Sequence, residues 1–192
     1  MKRQSTVPAR QTVWTQLLTG ALLLLSGILQ ADQFPVPADG WRLVTDGVMG
    51  GVSTGALRIG GHQADDAVCL SGSVSTANNG GFIQLALDID PQTAGHAPAY
   101  EGVAFRVSGN GETYNMHLRS SDLWLPWQSY RASFVAGAEW TVVKLPFSAF
   151  EPYKTGAALR PERLKRIGIV AIGRDFAADV CVRNLAFYRP RD

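Results

Sequence analysis

Apolar and polar residues alternate in short runs along most of this chain, and helical spacing is rare. The runs are Gly55 to Ile59, Ala67 to Val74, Phe82 to Ile89, Val103 to Ser108, Thr113 to Arg119, Ser129 to Val135, Thr141 to Leu145, Ile167 to Ile172 and Val180 to Tyr188. Successive side chains of a strand point to opposite faces, so each run predicts a strand with one buried face. In the run from Thr113, Tyr114, Met116 and Leu118 point one way, while Asn115, His117 and Arg119 point the other. Gly109-Asn110-Gly111 tolerates the positive φ values of a type I′ turn and predicts a hairpin between its flanking runs. Pro161 to Arg166 and Phe147 to Phe150 are the short helix candidates, and Asp90 to Tyr100, rich in Ala, Pro and Gly, reads as a surface loop. About nine strands without a long helix predict an all-β sandwich or jelly roll.

The first 31 residues follow a different pattern. Lys2, Arg3 and Arg10 precede an apolar stretch from about Leu17 to Leu29, which ends in Leu29-Gln30-Ala31. That is the layout of a signal peptide with Ala31 at the cleavage position, an uncleaved membrane anchor being the alternative. A mitochondrial transit peptide would need a polar helical face, and Leu22 to Leu25 leave none. The expected protein is therefore exported, to the periplasm or beyond the cell, with one domain over residues 40–190. A length of 192 residues suits one well-filled core. The formal charge of +2 belongs to the leader: without its three cations the 18 basic residues fall to 15, against 16 acidic ones. No general attraction for nucleic acid follows, and membrane contact is expected only through the leader if it is uncleaved.

Candidate chemistry is sparse. Gly51-Val52-Ser53-Thr54-Gly55 matches the G-x-S-x-G spacing of a nucleophile elbow, but that elbow needs a helix after the Ser, and Gly-Ala-Leu-Arg-Ile-Gly-Gly follows instead. A glycine-dense structural turn is the expectation. His62, His96 and His117 lie far apart in sequence and Cys69 and Cys181 are 112 residues apart, so no metal site is predicted. Asp65 with Asp66, and Asp88 with Asp90, could supply oxygens to a calcium ion but lack a supporting ligand pattern. No cofactor and no catalytic residue are expected. Export permits a Cys69–Cys181 disulfide, while small buried hydrophobes are the other reading of these two residues. Trp124, Trp127 and Tyr130 lie in or beside a Pro-containing loop, next to the strand that carries Asn115, His117 and Arg119. Flat rings beside hydrogen-bonding groups suit a sugar or a peptide, so these six residues form the candidate binding surface. The plainer alternative is that the tryptophans cap the core and Arg119 pairs with an internal carboxylate.

These residues also add up to a resemblance. The run from Trp41 through Asp46-Gly47-Val48-Met49-Gly50-Gly51-Val52-Ser53, followed by Asn79-Gly80-Gly81-Phe82, resembles the complex I intermediate-associated protein 30 family. Gly102, Gly109 to Gly111, Tyr114, Arg119, Tyr130 to Phe134, Trp140, Pro146 to Phe150 and Ile167 to Ile169 agree in order, so the resemblance covers about residues 40 to 188. It implies a galactose-binding-like jelly roll, similar to some carbohydrate-binding modules. It also implies an assembly-factor or chaperone role, since the eukaryotic members hold an intermediate of respiratory complex I. The chain departs from that pattern in its export leader and in Gly173 to Asp179, which lacks a Gly-Pro-Phe-like ending. Gly47, Gly50 and Gly51 would allow tight turns, and Asp46 and Asn79 would hydrogen-bond nearby amides. If the two glycine segments meet, Met49 would plug the edge of the core between them, a partner surface being the alternative use of the same segments. The expected function is a non-catalytic module holding a protein partner in the cell envelope, with carbohydrate binding through the aromatic loop as the alternative.

Overall fold

A computed structural model describes residues 33–189. The leader, with its signal-peptide and anchor readings, lies outside the described residues. Among the described residues no helix is long and apolar enough to cross a membrane.

Among the described residues twelve strands run as β1 (Gln33–Pro35), β2 (Arg42–Thr45), β3 (Thr54–Gly61), β4 (Ala64–Val74), β5 (Phe82–Asp88), β6 (Gly102–Gly109), β7 (Thr113–Ser120), β8 (Ser129–Val135), β9 (Thr141–Pro146), β10 (Glu151–Tyr153), β11 (Leu164–Ile172) and β12 (Phe176–Tyr188). They form two six-stranded sheets. The first has the order β3-β4-β12-β6-β9, with β1 pairing the end of β12, and the second the order β10-β8-β7-β11-β5-β2. Every pairing is antiparallel.

The alternating runs explain the core. Leu70, Phe105, Val107, Val180 and Phe187 of the first sheet meet Ile83, Leu85, Tyr114, Met116, Leu118, Ile167 and Ile169 of the second, all buried in one cluster. Phe105 and Phe134 join the sheets edge to face, with ring centroids 5.0 Å apart. The phenol of Tyr114 is buried, which pushes its pKa up to about 12, and it donates to the Asn110 side chain at 2.7 Å.

Three expectations need correction. The turn at Gly109 to Gly111 is not a hairpin: β6 belongs to the first sheet and β7 to the second, so the segment carries the chain across the sandwich. Long-range bonds override the local turn signal, because Gly109 N donates to Gly137 O at 2.7 Å and Asn110 N to Asp179 O at 3.1 Å. Within the expected loop, Pro91–His96 forms a helix, α1, because the Asp90 side chain accepts from the amides of Gln92 and Thr93 and Pro91 starts the first turn. The helix expected at Pro161 to Arg166 is one 3₁₀ turn, Pro161–Arg163, after which Leu164 begins β11. Finally, β1, β2 and β10 were not expected; they are three or four residues long, too short to establish a period.

Candidate functional site

The two glycine-rich segments do meet, and a buried carboxylate joins them. Thr45 caps a 3₁₀ turn over Asp46–Met49, and this turn places the Asp46 side chain inside the molecule. Its Oδ1 accepts from Ser53 N at 3.0 Å; its Oδ2 accepts from Ser53 Oγ at 2.5 Å, Gly81 N at 2.6 Å and Phe82 N at 3.3 Å. Burial alone would push this carboxyl up, but the donors outweigh it and hold the pKa below the ordinary value. A Cβ on Gly51 would stand 2.3 Å from Asp46 Cγ and one on Gly80 2.4 Å from Asp46 Oδ2, so both glycines are needed for close approach. Gly50 instead takes a φ of 86° to end the turn. Gly47 follows the cap, its amide donating to Thr45 Oγ1 at 3.3 Å.

Two expectations here are overturned. Met49 is no plug: the turn projects it into solvent, 63% exposed, beside Val48 at 78%. Asn79 contributes through its backbone, at a φ of 57°, rather than through a side-chain bond. Ser53 precedes strand β3 rather than a helix, and its Oγ is held by Asp46 and by Ser75 N at 3.0 Å, the opposite of a free nucleophile.

The outward face of the second sheet carries the polar side chains. Pairing registers align one row as Arg42, Ala86, Gly168, His117, Arg131 and Glu151, and the row beside it as Asp88, Arg166 and Arg119. A third row runs Val44, Gln84, Val170, Asn115 and Ser133. Between Arg42 and His117 the middle row holds Ala86 and Gly168, both buried beneath the side chains around them. The Gln84 amide lies over that glycine, since a Cβ there would meet Gln84 Nε2 at 2.4 Å. Asn115 Oδ1 accepts from Ser133 Oγ at 3.2 Å. His117 is neutral, because burial and then the Arg131 charge push its pKa down to about 3, and among the described residues its buried Nε2 has no hydrogen-bond partner. Arg131 lies 3.3 Å over the Tyr153 ring and donates through Nε to Ser129 Oγ at 3.0 Å.

The aromatic loop joins this face through Arg119, whose Nη1 donates to the carbonyls of Pro126 and, at 3.0 Å, Gln128. The Gln128 side chain in turn accepts from the amides of Trp124 and Leu125, both at 3.0 Å, and donates to Lys154 O at 3.0 Å. The loop is thereby fixed while its rings stay open: Trp124 is 91% and Trp127 53% exposed. Neither tryptophan caps the core, and Arg119 has neutral carbonyl partners instead of an internal carboxylate. Tyr130 leaves the candidate set, because it shares the inward side of β8 with Ala132 and Phe134 and donates to Ala158 O at 3.0 Å from within the core. Gln84, Arg131 and Arg166 belong to the face and were missed. The parity of β8 marks Arg131 as outward, but Gln84 and Arg166 reach it only through register.

On the outer side of the first sheet, Cys69 and Cys181 face each other across β4 and β12 and form a disulfide. They pack with Ala64, Ala67 and Trp140. His62 lies beside them, with Nε2 3.3 Å from Asp179 and Nδ1 3.0 Å from Ser108 Oγ. His62, Asp179 and Cys181 converge, but a bonded sulfur offers no thiolate, which leaves two ligands where a metal needs more. The acidic pairs are engaged elsewhere: Asp66 pairs with Arg183, Asp88 with Arg42 and Arg166, and Asp90 caps α1.

The sequence model of the family described as complex I intermediate-associated protein 30 matches residues 31–179. No curated protein matches the chain. Among solved structures, the family 11 carbohydrate-binding module of a cellulosomal cellulase of Clostridium thermocellum has a TM-score of 0.67 at 11% identity, covering 83% of this chain and 96% of that one. A family 11 module from the same organism, in complex with a β-1,3-1,4-mixed-linked tetrasaccharide, has a TM-score of 0.66 at 11% identity and covers 84% and 96%. A family 30 carbohydrate-binding module has a TM-score of 0.52 at 13% identity, with coverage of 84% and 87%. At such identities the likeness shows the fold alone, a β-sandwich of the galactose-binding-like type.

Proposed function

Because this chain belongs to the complex I intermediate-associated protein 30 family, we propose that it is a non-catalytic binding module, and that it holds a glycan across the outward face of its second sheet. The observation that carries this reading is the Arg119 clamp, which presents two exposed tryptophans beside a polar sheet face without giving them to the core. Rigid aromatic rings beside fixed donors and acceptors are what sugar recognition requires. The solved structures of similar fold, one of them with a bound tetrasaccharide, support the same reading. We place the protein outside the cytoplasm as part of this proposal, supported by the leader pattern and the Cys69–Cys181 disulfide. A glycan array with the wild type and Trp127→Ala tests it: binding of one sugar class, lost in the variant with an unchanged melting temperature, is expected. An array without binding would sink the glycan reading.

A protein partner is the second reading, favoured by the apolar cluster of Val48, Met49 and Val52 exposed on the turn that Asp46 holds. Capture of one envelope complex, abolished by Met49→Ser and retained in Trp127→Ala, would place the function there instead.

A further inference from the structure

The candidate face is more cationic than the chain that carries it. Four guanidiniums, of Arg42, Arg119, Arg131 and Arg166, share it with the carboxylates of Asp88 and Glu151. Asp88 is committed twice, to Arg42 at 3.0 Å and to Arg166 at 2.7 Å. Among the described residues neither Arg119 nor Arg131 has a carboxylate within ion-pair distance. Neutral acceptors occupy part of each: two backbone carbonyls for Arg119, and a hydroxyl and an aromatic face for Arg131. Those contacts fix the planes of the two forks without compensating their charge. Burial weakens the hold of both groups on their protons, and Arg166 adds to this at Arg119. The residue between them, His117, is neutral and adds no charge.

Arg119 and Arg131 are diagonal neighbours on paired strands, which puts their Cα atoms about 7–8 Å apart. A planar fork matches a carboxylate with two parallel hydrogen bonds. We infer that the ligand of this face is a carboxylated polysaccharide, a polyuronate, whose acid groups pair with Arg131 and Arg119 while its rings meet Trp127 and Trp124. The inference rests on the glycan reading above and names the sugar class. A neutral glucan would leave both charges partly desolvated and uncompensated, a standing cost to binding. A general polyanion site is disfavoured because the chain beyond its leader is near neutral.

The test is affinity electrophoresis of the full chain in gels containing polygalacturonate, alginate, mixed-linked β-glucan or dextran sulfate. Retardation by a polyuronate, weakening with added salt and lost by roughly tenfold or more in Arg131→Gln, is expected. Arg131→Lys should retain part of it, since the charge survives without the fork. Retardation by the neutral glucan, unaffected by Arg131→Gln or salt, would overturn the acid inference and leave the glycan reading standing. Equal retardation by dextran sulfate would overturn carboxylate selectivity, and no retardation by any polymer would overturn both. If Arg131→Gln does not fold, the salt response of the wild type on polyuronate against glucan decides.

Discussion

Replacing Asp46 by Asn keeps the side-chain shape and removes its charge. Three donors converge on Oδ2 and one on Oδ1. The amide would therefore turn its NH₂ toward Ser53 N, where it opposes a single donor and leaves it unpaired. One buried donor without a partner costs about 1–3 kcal/mol, and three charge-assisted bonds reduced to neutral ones lose about 0.5–1 kcal/mol each. Asp46→Asn should thus destabilise the domain by about 2.5–6 kcal/mol, a shift on the order of 10 °C for a domain of this size. Urea unfolding at neutral pH measures it. The folded pKa of Asp46 lies below its unfolded value, so its contribution is fully present above the unfolded pKa and is lost as pH falls through the folded one. The deficit of the variant should therefore shrink in acid, as the wild type gives up the same bonds. A loss under about 1 kcal/mol, or a deficit constant down to the acid end of the carboxylate range, would refute the account.

Gly51→Ala and Gly80→Ala should each destabilise by at least about 1–3 kcal/mol, because both place a Cβ against the Asp46 carboxylate; thermal melts check this. Trp124→Ala should change stability by no more than about 0.5 kcal/mol, since the ring is almost fully exposed, and a larger shift would show a structural role. Arg119→Ala should free the loop from Asp122 to Gln128, read as faster proteolytic nicking there with the two sheets intact. Replacing Cys69 and Cys181 together by Ala should cost about 2–5 kcal/mol, the range for a link closing a long loop, measured by urea titration against the oxidised protein.

Strand parity made most of this fold legible. Tyr114, Met116 and Leu118 alternate so regularly that the inward and outward faces of β7 follow from local order alone. The same rule places Tyr130 inward with Ala132 and Phe134; grouping it with the nearby tryptophans by proximity hid that. Other features depend on partners distant in sequence. A Gly-Asn-Gly turn reads the same whether the next strand pairs with the last or crosses to the other sheet, and here Gly137 and Asp179 decide. The candidate face is legible only in part for that reason. Asn115, His117 and Arg119 lie on one strand and the parity of β8 marks Arg131 as outward, but Gln84 and Arg166 join them through register between strands. That the two turn segments meet, and that Met49 points outward, depends on Asp46 reaching the amides of Ser53, Gly81 and Phe82, and density of glycine alone decides neither.

The place of β12 in the first sheet governs how this chain can fold. It lies between β4 and β6, although it is the last strand in sequence. Until it arrives, both neighbours present open edges, and Cys69 has no partner across from it. The first sheet can be completed only once this last strand is in place, and its pairings join residues distant in sequence, a topology that makes for slow folding. A chain cut short before β12 would lose the centre of a sheet rather than a terminal strand.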